Sequence, residues 1–181
     1  DEGFDAIAPP FFAARVERAL GLRRDLGLVG ERSACRLVHG AGDGLPGFSM
    51  DLLSPWAVLY VYSRAFVPFG QLVAQAAIEQ ASLRGVVVKV RSRGAASQQK
   101  VKQDAVGEEP PETLVVEERG VPFEVHPARG LNTGLFTDMR EHRHSLARFT
   151  AGKAVLNGFA YTGTLSVIAA RAERGRRSCR A

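Results

Sequence analysis

The amino-acid sequence predicts an α/β fold in which a mixed-sheet accessory domain is followed by an incomplete Rossmann-like domain. Segments whose apolar residues recur at helical spacing alternate with short β-like runs, as is typical of this class. Near the end of the sequence, a short apolar run precedes a glycine-bearing loop and another apolar helix, the order in which Rossmann-like domains begin. At 181 residues, the chain is long enough for one full core and part of a second domain.

The charge of the chain gives only weak support for a nucleic-acid partner. The formal net charge is +5, but the last eleven residues contain five arginines and one glutamate, which leaves the preceding residues at +1. Clustered basic residues supply phosphate contacts in nucleic-acid-binding proteins, yet an ordinary solvated surface explains the same composition.

The composition indicates neither a targeting segment nor a metal site. The first residues are acidic, and no uninterrupted apolar run approaches membrane-spanning length, so we expect a soluble cytoplasmic protein without a membrane span. Cys35 and Cys179 lie far apart and outside any metal-ligand spacing. Neither a disulfide framework nor a zinc site is therefore expected.

The accessory domain is predicted to occupy residues 11–126, after a linker over residues 1–10. Periodicity predicts two helices, over residues 11–24 and 69–83. Apolar and alternating runs predict strands over residues 35–39, 48–53, 57–62, 86–90, 114–118 and 121–126. Pro122 restricts the last strand to an edge or a bulge, and the polar residues 95–111 are expected to form a long exposed excursion.

The connection between the first two predicted strands is rich in glycine. From His39 to Gly47 it contains four glycines and a proline in nine residues, so it must be a loop with positive-φ positions. It lacks the Lys-Ser/Thr ending of a phosphate-binding loop and no helix follows it, which favours a tight hairpin connection over a phosphate site. Asp43 is then a turn residue rather than a catalytic acid.

A connecting loop and helix are predicted over residues 127–152. The loop ends near Phe136, and a helix is expected from Asp138 to about Phe149. Its apolar stripe comprises Met139, His142, Leu146 and Phe149. On that stripe, His142 is expected to be packed or partly exposed rather than a ligand.

Residues 153–170 contain the start of the predicted Rossmann-like domain, with a strand at 155–156, a loop over 157–163 and a helix over 164–171. The loop lacks the GxGxxG pattern, so a dinucleotide such as NAD is disfavoured. Alternation places Asn157, Phe159 and Tyr161 on one side of an extended loop, while Gly163 lets the backbone approach a ligand. Such a surface suits a carboxylate, an amine and an adenine-like ring, but an ordinary strand-to-helix connection explains the pattern equally well.

Three motifs, in order along the chain, carry a resemblance to a known family. CRLVHGAGDGLPGFSMDLL resembles RLVHGExDGLPGLxVD, GLNTGLFTDMREHRHSLARF resembles GxKTGxFxDxRxNR, and VLNGFAYTGTLSV resembles VLNxFxYTGxxS. These are signatures of the 23S ribosomal RNA cytosine-C5 methyltransferases, class I enzymes with an N-terminal PUA domain. The resemblance covers the chain from Phe11 to Ala170 and implies an RNA methyltransferase whose cofactor is S-adenosylmethionine.

The resemblance implies a set of contacts to S-adenosylmethionine. In the last motif, the residues that would line the cofactor are Asn157, Phe159, Tyr161 and Gly163. In the preceding signature, which would pack over the cofactor site, they are Thr133, Gly134, Phe136, Asp138 and Arg140. Two of these residues have a structural role as the alternative to a cofactor contact. Asp138 would stabilise the start of a helix, and Arg140 would form a salt bridge.

The chain departs from the family's motifs at three positions. Asn132 stands where the signature has lysine, and His142 stands where it has asparagine; both changes are expected to be tolerated. Gly158 replaces a bulky apolar residue and is expected to weaken the strand end, because it removes packing and adds backbone freedom.

Two functional residues implied by the resemblance are expected downstream. An acidic residue about 20 positions beyond the glycine loop binds the ribose hydroxyls in Rossmann-like domains, and counting from Gly163 places it past Ala181. The family's nucleophilic cysteine, whose thiolate adds to C6 of cytosine before C5 is methylated, also lies downstream. Neither Cys35 nor Cys179 matches it, so no catalytic residue is assigned.

Residues 171–181, RAERGRRSCRA, form an anomalous basic tail where the family's pattern would continue into an apolar second strand. Out-of-frame reading of GC-rich codons produces such arginine-rich sequence. We therefore predict a frameshift or truncated reading frame, which resequencing the gene would reveal.

Three interpretations of function stay open: an RNA methyltransferase that is incomplete and inactive by itself, a non-catalytic RNA-binding or assembly module, and a fragment without function. The expected partners are RNA, with ribosomal RNA favoured, and as an option a second copy of the chain in a homodimer. No membrane or metal is expected. A lone strand and helix cannot bury their apolar faces, so the segment after Lys153 is expected to be marginally stable or docked against the accessory domain.

Overall fold

The computed structural model describes residues 9–91 and 103–177. The chain divides into two compact units, residues 1–133 and residues 134–181. The described part of the first unit contains a mixed sheet, a hairpin and two long helices, and that of the second contains two helices and their loops.

Two helices and five strands form the main layers of the first unit. The helices are α1 (Pro9–Asp25) and α2 (Val67–Ala81). The strands are β1 (Ala34–His39), β2 (Phe48–Leu53), β3 (Trp56–Val61), β4 (Gly85–Val90) and β5 (Gln103–Gly107). They follow one another in the sheet, with β3 and β4 parallel and all other neighbours antiparallel. The mixed sheet is therefore as predicted, and α2 supplies the crossover that a parallel pair needs.

One face of this sheet carries the hydrophobic core of the first unit. Leu37, Met50 and Leu59 of the strands are buried in one cluster with Val16 and Leu20 of α1. Strand side chains alternate between faces, whereas helix side chains recur every three to four residues, so these positions meet across one interface. The opposite face of the sheet presents several polar side chains instead.

The glycine-rich connection after β1 is a tight turn held by an ion pair. Residues Gly40–Asp43 form a short 3-10 turn. The buried Asp43 carboxylate accepts hydrogen bonds from Arg23 at 2.5 and 2.8 Å and from the His39 N–H at 2.6 Å. Burial by itself would raise the pKa of Asp43, but the bonds from Arg23 and His39 outweigh it and lower that pKa. Asp43 thus has the structural turn role that the sequence predicts.

The predicted excursion over residues 95–111 is wrong in part, because Gln103–Gly107 form β5. This strand pairs with β4 from Gly85 opposite Gly107 to Lys89 opposite Gln103. Its polar composition hid it, because an edge strand does not need the continuous apolar pattern of a central one. Residues 92–102 lie outside the described residues.

The rest of the first unit agrees with the sequence prediction to within about two residues at each element end. A separate two-stranded hairpin consists of β6 (Leu114–Glu118) and β7 (Val121–Val125). Pro122 lies on β7 opposite Glu117. Because both strands of such a hairpin are edges, the expected edge position of Pro122 is confirmed.

The second unit contains α3 (Arg140–Thr150) and α4 (Thr164–Arg177), which pack against each other. A 3-10 turn, Thr137–Met139, precedes α3. Helix α4 extends beyond the predicted end at residue 171, since the alanine, arginine and glutamate residues that follow favour helix. In the described parts of the chain, no helix is long and apolar enough to cross a membrane.

The strand predicted at residues 155–156 does not form. Val155 and Leu156 have no regular secondary structure, and Leu156 is 94% exposed. A strand is stable only beside hydrogen-bonded neighbours, and residues 134–177 contain no other strand with which it could pair.

The apolar stripe predicted for α3 is also wrong. His142 and Phe149 are exposed, whereas Arg143 and Thr150 are the buried residues of this helix. The buried positions are seven residues apart and therefore share a face, displaced by one residue from the predicted one. An arginine stem can be buried while its polar head is satisfied, which local hydropathy does not reveal.

Candidate functional site

The residues predicted to contact the cofactor fall in both units. Thr133 is the last residue of the first unit. The other eight belong to the second unit: Gly134, Phe136, Asp138, Arg140, Asn157, Phe159, Tyr161 and Gly163. The geometry within each unit shows which of them lie together.

The loop before α4 is ordered by short-range hydrogen bonds. The Asn157 Nδ2 donates to the Ser166 Oγ at 3.0 Å, so the start of the loop is tied to the first turns of the helix. The Gly163 N–H donates to the Ala160 carbonyl at 2.7 Å. Gly163 has φ of +76°, a conformation that glycine adopts without strain. Tyr161 has φ of +50°, which is uncommon for a residue with a side chain.

Two contacts join this loop to the start of the second unit. The rings of Phe136 and Tyr161 lie with their centroids 5.2 Å apart and their planes inclined by 40°. The Thr162 Oγ1 donates to the Gly134 carbonyl at 2.7 Å. The structure therefore brings four predicted residues into one neighbourhood: Gly134, Phe136, Tyr161 and Gly163.

Three other predicted residues, Phe159, Asp138 and Arg140, have different surroundings. Phe159 is 99% exposed, so its ring does not pack against the described residues of this unit. Asp138 lies in the 3-10 turn immediately before α3, where an acidic side chain faces the positive end of a helix dipole. The Arg140 Nε lies 3.8 Å from the Glu141 carboxylate, which fits the salt-bridge alternative.

In the first unit, Thr133 is buried and held by both its backbone and its side chain. Its carbonyl accepts a hydrogen bond from the His126 N–H at 2.8 Å, and its side chain hydrogen-bonds with Tyr60 of β3. Burial, together with the nearby Asp51 carboxylate, raises the pKa of Tyr60 above its usual range. Tyr60 therefore stays a neutral hydroxyl near physiological pH.

Sequence reasoning missed an arginine that contacts the residues just before Thr133. The Arg91 Nη2 donates to the Leu131 carbonyl at 2.9 Å and to the Asn132 Oδ1 at 2.8 Å. The same guanidinium lies 4.2 Å from the centroid of the Tyr60 ring. The basic exit of β4 was visible in the sequence, but only the fold shows what its arginine contacts.

A buried lysine of β4 lies two residues before Arg91 in the sequence. Lys89 is fully buried, and its Nζ is 3.5 Å from the Arg129 carbonyl, a weak contact. Burial and the neighbouring Arg91 lower the pKa of Lys89 to about 8, against the opposing attraction of Asp51. The ammonium is thus the less stable of its two forms once the pH exceeds about 8.

The described residues contain neither an exposed cysteine nor a metal-binding cluster. Cys35 is buried in the hydrophobic core of the first unit, where a thiol is inert. Cys179 lies outside the described residues. Across residues 9–91 and 103–177, no group of three or more His, Cys, Asp or Glu residues is arranged to hold a metal ion.

Two relatives illustrate what the sequence is similar to. The chain is 34% identical over 173 residues to the ribosomal RNA large subunit methyltransferase I of Shewanella denitrificans, which covers 93% of this chain and 43% of that protein. It is 30% identical over 169 residues to the ribosomal RNA large subunit methyltransferase of Deinococcus radiodurans, which covers 89% of this chain and 41% of that protein. The chain therefore spans less than half the length of these relatives.

Two solved structures are similar to the fold. One is described as a SAM-dependent methyltransferase from Streptococcus mutans; it matches 91% of this chain and 42% of its own, with a TM-score of 0.78 and 26% identity. The other is the SMU.776 methyltransferase complexed with SAH, with a TM-score of 0.76, 26% identity and the same coverage. Both support the α/β fold class predicted from the sequence.

The strongest indication of identity is the match to a family as a whole. The sequence model of the S-adenosylmethionine-dependent methyltransferases matches residues 36–177, which is most of the chain. That range includes all of the mixed sheet except the first two residues of β1, together with the Gly134–Phe136 segment and the loop before α4. The chain therefore belongs to the S-adenosylmethionine-dependent methyltransferase family.

Proposed function

We propose that the chain is part of a methyltransferase that modifies C5 of a cytosine in large-subunit ribosomal RNA, with S-adenosylmethionine as the methyl donor. The observation that carries this is the family match over residues 36–177, which includes the whole loop before α4. The names of the relatives from Shewanella denitrificans and Deinococcus radiodurans support ribosomal RNA as the substrate. The C5 position and a PUA domain in the whole protein rest on the motif resemblance, and a cytoplasmic location follows from that substrate.

The loop before α4 fits one part of such a cofactor. A Cβ added at Gly158 or Gly163 would meet no heavy atom within 4 Å, so the backbone there leaves room for a ligand. The N-terminus of α4 follows directly, and helix N-termini favour a negative group such as a carboxylate. The exposed ring of Tyr161 offers an aromatic surface beside this backbone.

These features support the following roles for the predicted residues. The methyl group is supplied by the sulfonium of S-adenosylmethionine when it is bound. The start of α4 and Gly163 would hold its amino-acid end, with Asn157 as a polar contact already oriented by Ser166. Phe136 and Tyr161, which pack on each other, would hold the adenine ring. Phe159 is a further proposed contact, and its exposure leaves it accessible to a ligand.

Five residues of the preceding signature are proposed to pack over the cofactor. Gly134 and Phe136 already contact the Tyr161–Thr162 turn. Thr133, Asp138 and Arg140 complete the proposed set through the motif resemblance. For Asp138 and Arg140 the structural alternatives, a helix-start charge and a salt bridge, compete with this role.

A titration with SAH tests the cofactor proposal. Gly163 and Gly152 make a matched pair, because both have positive φ and neither has a heavy atom within 4 Å of an added Cβ. Isothermal calorimetry should show that Gly163→Ala weakens SAH binding about tenfold or more, since a side chain there disturbs the backbone at the proposed contact. Gly152→Ala should bind like the unmodified chain. Absence of heat with the unmodified chain at millimolar SAH would refute cofactor binding by this chain.

We also propose that the chain by itself does not transfer methyl groups. Cytosine C5 methylation requires a nucleophile for C6, and Cys35 is enclosed in the core. Incubation with ribosomal RNA and radiolabelled S-adenosylmethionine should leave the RNA unlabelled. Labelled RNA would show that a different residue performs this chemistry.

A second candidate function is RNA binding without catalysis. The first unit encloses a hydrophobic core of its own, as a module that acts independently requires. Filter binding of ribosomal RNA at two salt concentrations tests it, because phosphate contacts weaken steeply as salt rises. Salt-dependent binding without detectable SAH binding would favour this function over the first.

A further inference from the structure

Residues 129–133 form a short loop that is fastened to the polar face of the sheet within the first unit. Four separate groups contact it. The Lys89 Nζ approaches the Arg129 carbonyl, and the Arg91 Nη2 donates to the Leu131 carbonyl and the Asn132 Oδ1. The loop then ends at Thr133, which contacts Tyr60 and His126.

Arg91 contacts this loop through two hydrogen bonds. The two hydrogens of its Nη2 are used by two acceptors on consecutive residues, a backbone carbonyl at 2.9 Å and a side-chain oxygen at 2.8 Å. Its buried Nε has no hydrogen-bond partner among the residues that the structure describes. The contacts that orient this guanidinium are the Tyr60 ring and the two loop acceptors.

Asn132 is one of the positions at which the chain departs from its signature, because the motif has lysine there. A lysine side chain carries three donors and no acceptor, so it cannot receive the hydrogen bond that Arg91 donates. It would also bring a further positive charge to a guanidinium that already has Lys89 as a neighbour two residues earlier. The contact between Arg91 and Asn132 therefore depends on the residue found in this chain.

We infer that Arg91 and Asn132 form a latch that fixes the conformation of residues 129–133 and so positions Thr133, the first of the residues proposed to pack over the cofactor. The inference deepens the proposed function and rests on it for the role of Thr133. Arg91 and Asn132 are positioning residues in this scheme. They act on the backbone that carries Thr133 and need not touch the cofactor.

Hydrogen exchange at a single amide reports on the latch. The His126 N–H donates to the Thr133 carbonyl, so its exchange by NMR measures how often the end of the loop opens. Asn132→Leu removes the acceptor at similar size, and Asn132→Lys replaces it with a cation. Both variants should speed His126 exchange about tenfold, the effect of losing one hydrogen bond to a charged group. Amides of β2 and β3 should be unaffected.

Two further variants separate the latch from a general loss of stability. Asn132→Asp keeps an acceptor and adds a negative charge opposite Arg91, so His126 exchange should stay as slow as in the unmodified chain or become slower. Arg84→Met is the matched control, because Arg84 also stacks on an aromatic ring, that of Trp56, at 4.8 Å and precedes the same strand. It should leave His126 exchange unchanged. Unchanged exchange in Asn132→Leu and Asn132→Lys would overturn the latch.

Titration of the same variants with SAH tests the positioning role. If Thr133 is positioned by the latch, Asn132→Lys should weaken SAH binding severalfold. Asn132→Asp, which keeps the acceptor, should bind SAH as tightly as the unmodified chain does. Equal affinity in all variants, with faster His126 exchange in Asn132→Lys, would overturn the positioning role. If the unmodified chain binds no SAH, the proposed function fails and the positioning role fails with it, whereas the latch itself is still decided by exchange.

Discussion

The two units of this protein differ in where they place their apolar side chains. In the first unit, Leu59 is 0% exposed and belongs to a cluster enclosed by two helices and a sheet. In the second unit, Leu156 and Phe159 are almost fully exposed although they belong to a family motif. A motif that is easily recognised in the sequence therefore does not have to belong to a packed core, because its residues can serve contacts other than core packing.

The largest effect is expected from breaking the buried ion pair of the first unit. Asp43→Ala leaves the Arg23 guanidinium buried without its carboxylate partner, and the His39 N–H loses its acceptor. We expect the free energy of unfolding of this unit to fall by about 3–5 kcal/mol. Urea unfolding followed by fluorescence measures it, because the only tryptophan, Trp56, lies in this unit.

The pH dependence of the stability lost in Asp43→Ala tests whether the ion pair is its cause. Because the pKa of Asp43 is lowered in the folded state, its contribution is present above the ordinary carboxyl pKa and disappears as the pH falls through the lowered value. The difference between the unmodified chain and Asp43→Ala should therefore shrink in strong acid. The exposed pair of Arg84 and Glu108 is the control, and Glu108→Gln should cost about 0–1 kcal/mol.

Truncating one leucine in each unit tests the comparison directly. Leu59→Ala should lower the free energy of unfolding by about 2–5 kcal/mol, because it leaves a cavity in the core of the first unit. Leu156→Ala should change it by less than about 0.5 kcal/mol, because an exposed side chain loses no packing. Both are measured by urea unfolding, with native-state hydrogen exchange of α4 for the second unit. A large cost for Leu156→Ala would mean that this segment is covered in solution.

The elements that the sequence predicted well are those whose signal is local. The helices of the first unit and its apolar strands follow from periodicity, and the glycine-rich turn follows from its composition. Strand β5 was missed because an edge strand can be polar, and the strand at residues 155–156 was wrongly predicted because a strand depends on neighbours that local sequence does not reveal.

In the candidate site too, local sequence features could be predicted and long-range contacts could not. The residues of the two motifs could be named from the sequence, since their order and spacing are linear properties. The contacts of Arg91 with Leu131 and Asn132 join positions about 40 residues apart and appear only after β4 has been placed in its sheet. The buried Arg143 could not be predicted either, because its burial depends on what satisfies its guanidinium.

A moderate effect is expected from the buried lysine of the first unit. The folded state lowers the pKa of Lys89 from 10.5 to about 8, so below pH 8 the protonated side chain costs stability. Between about pH 8 and 10.5 the unfolded state binds the extra proton, so the free energy of unfolding should rise with pH. Lys89→Met lacks this dependence. Between pH 7 and pH 10, the free energy of unfolding of the unmodified chain should therefore rise relative to that of Lys89→Met by up to about 3 kcal/mol.

Comparing Lys89→Met with the unmodified chain also excludes titration of Tyr60 as the cause of the pH dependence. Tyr60 also has a perturbed pKa, raised in the folded state, so its effect lowers stability as the pH rises above 10. It is present in both proteins and largely cancels in the difference. A pH-independent difference between Lys89→Met and the unmodified chain would mean that water reaches Lys89 in solution.

The smallest expected effect concerns the ring pair of the second unit. Phe136 and Tyr161 are both partly exposed, so their coupling should lie near the lower end of the range for aromatic pairs, about 0.5 kcal/mol. A double-mutant cycle with Phe136→Leu and Tyr161→Leu measures it, with the opening free energy of α4 amides as the readout. Phe136→Leu combined with Phe159→Leu is the control and should show no coupling, since Phe159 is 99% exposed. If the cycle with Phe136 and Tyr161 also shows no coupling, the hydrogen bond from Thr162 to the Gly134 carbonyl must be the contact that stabilises the loop. Thr162→Val should then lower the opening free energy of the α4 amides.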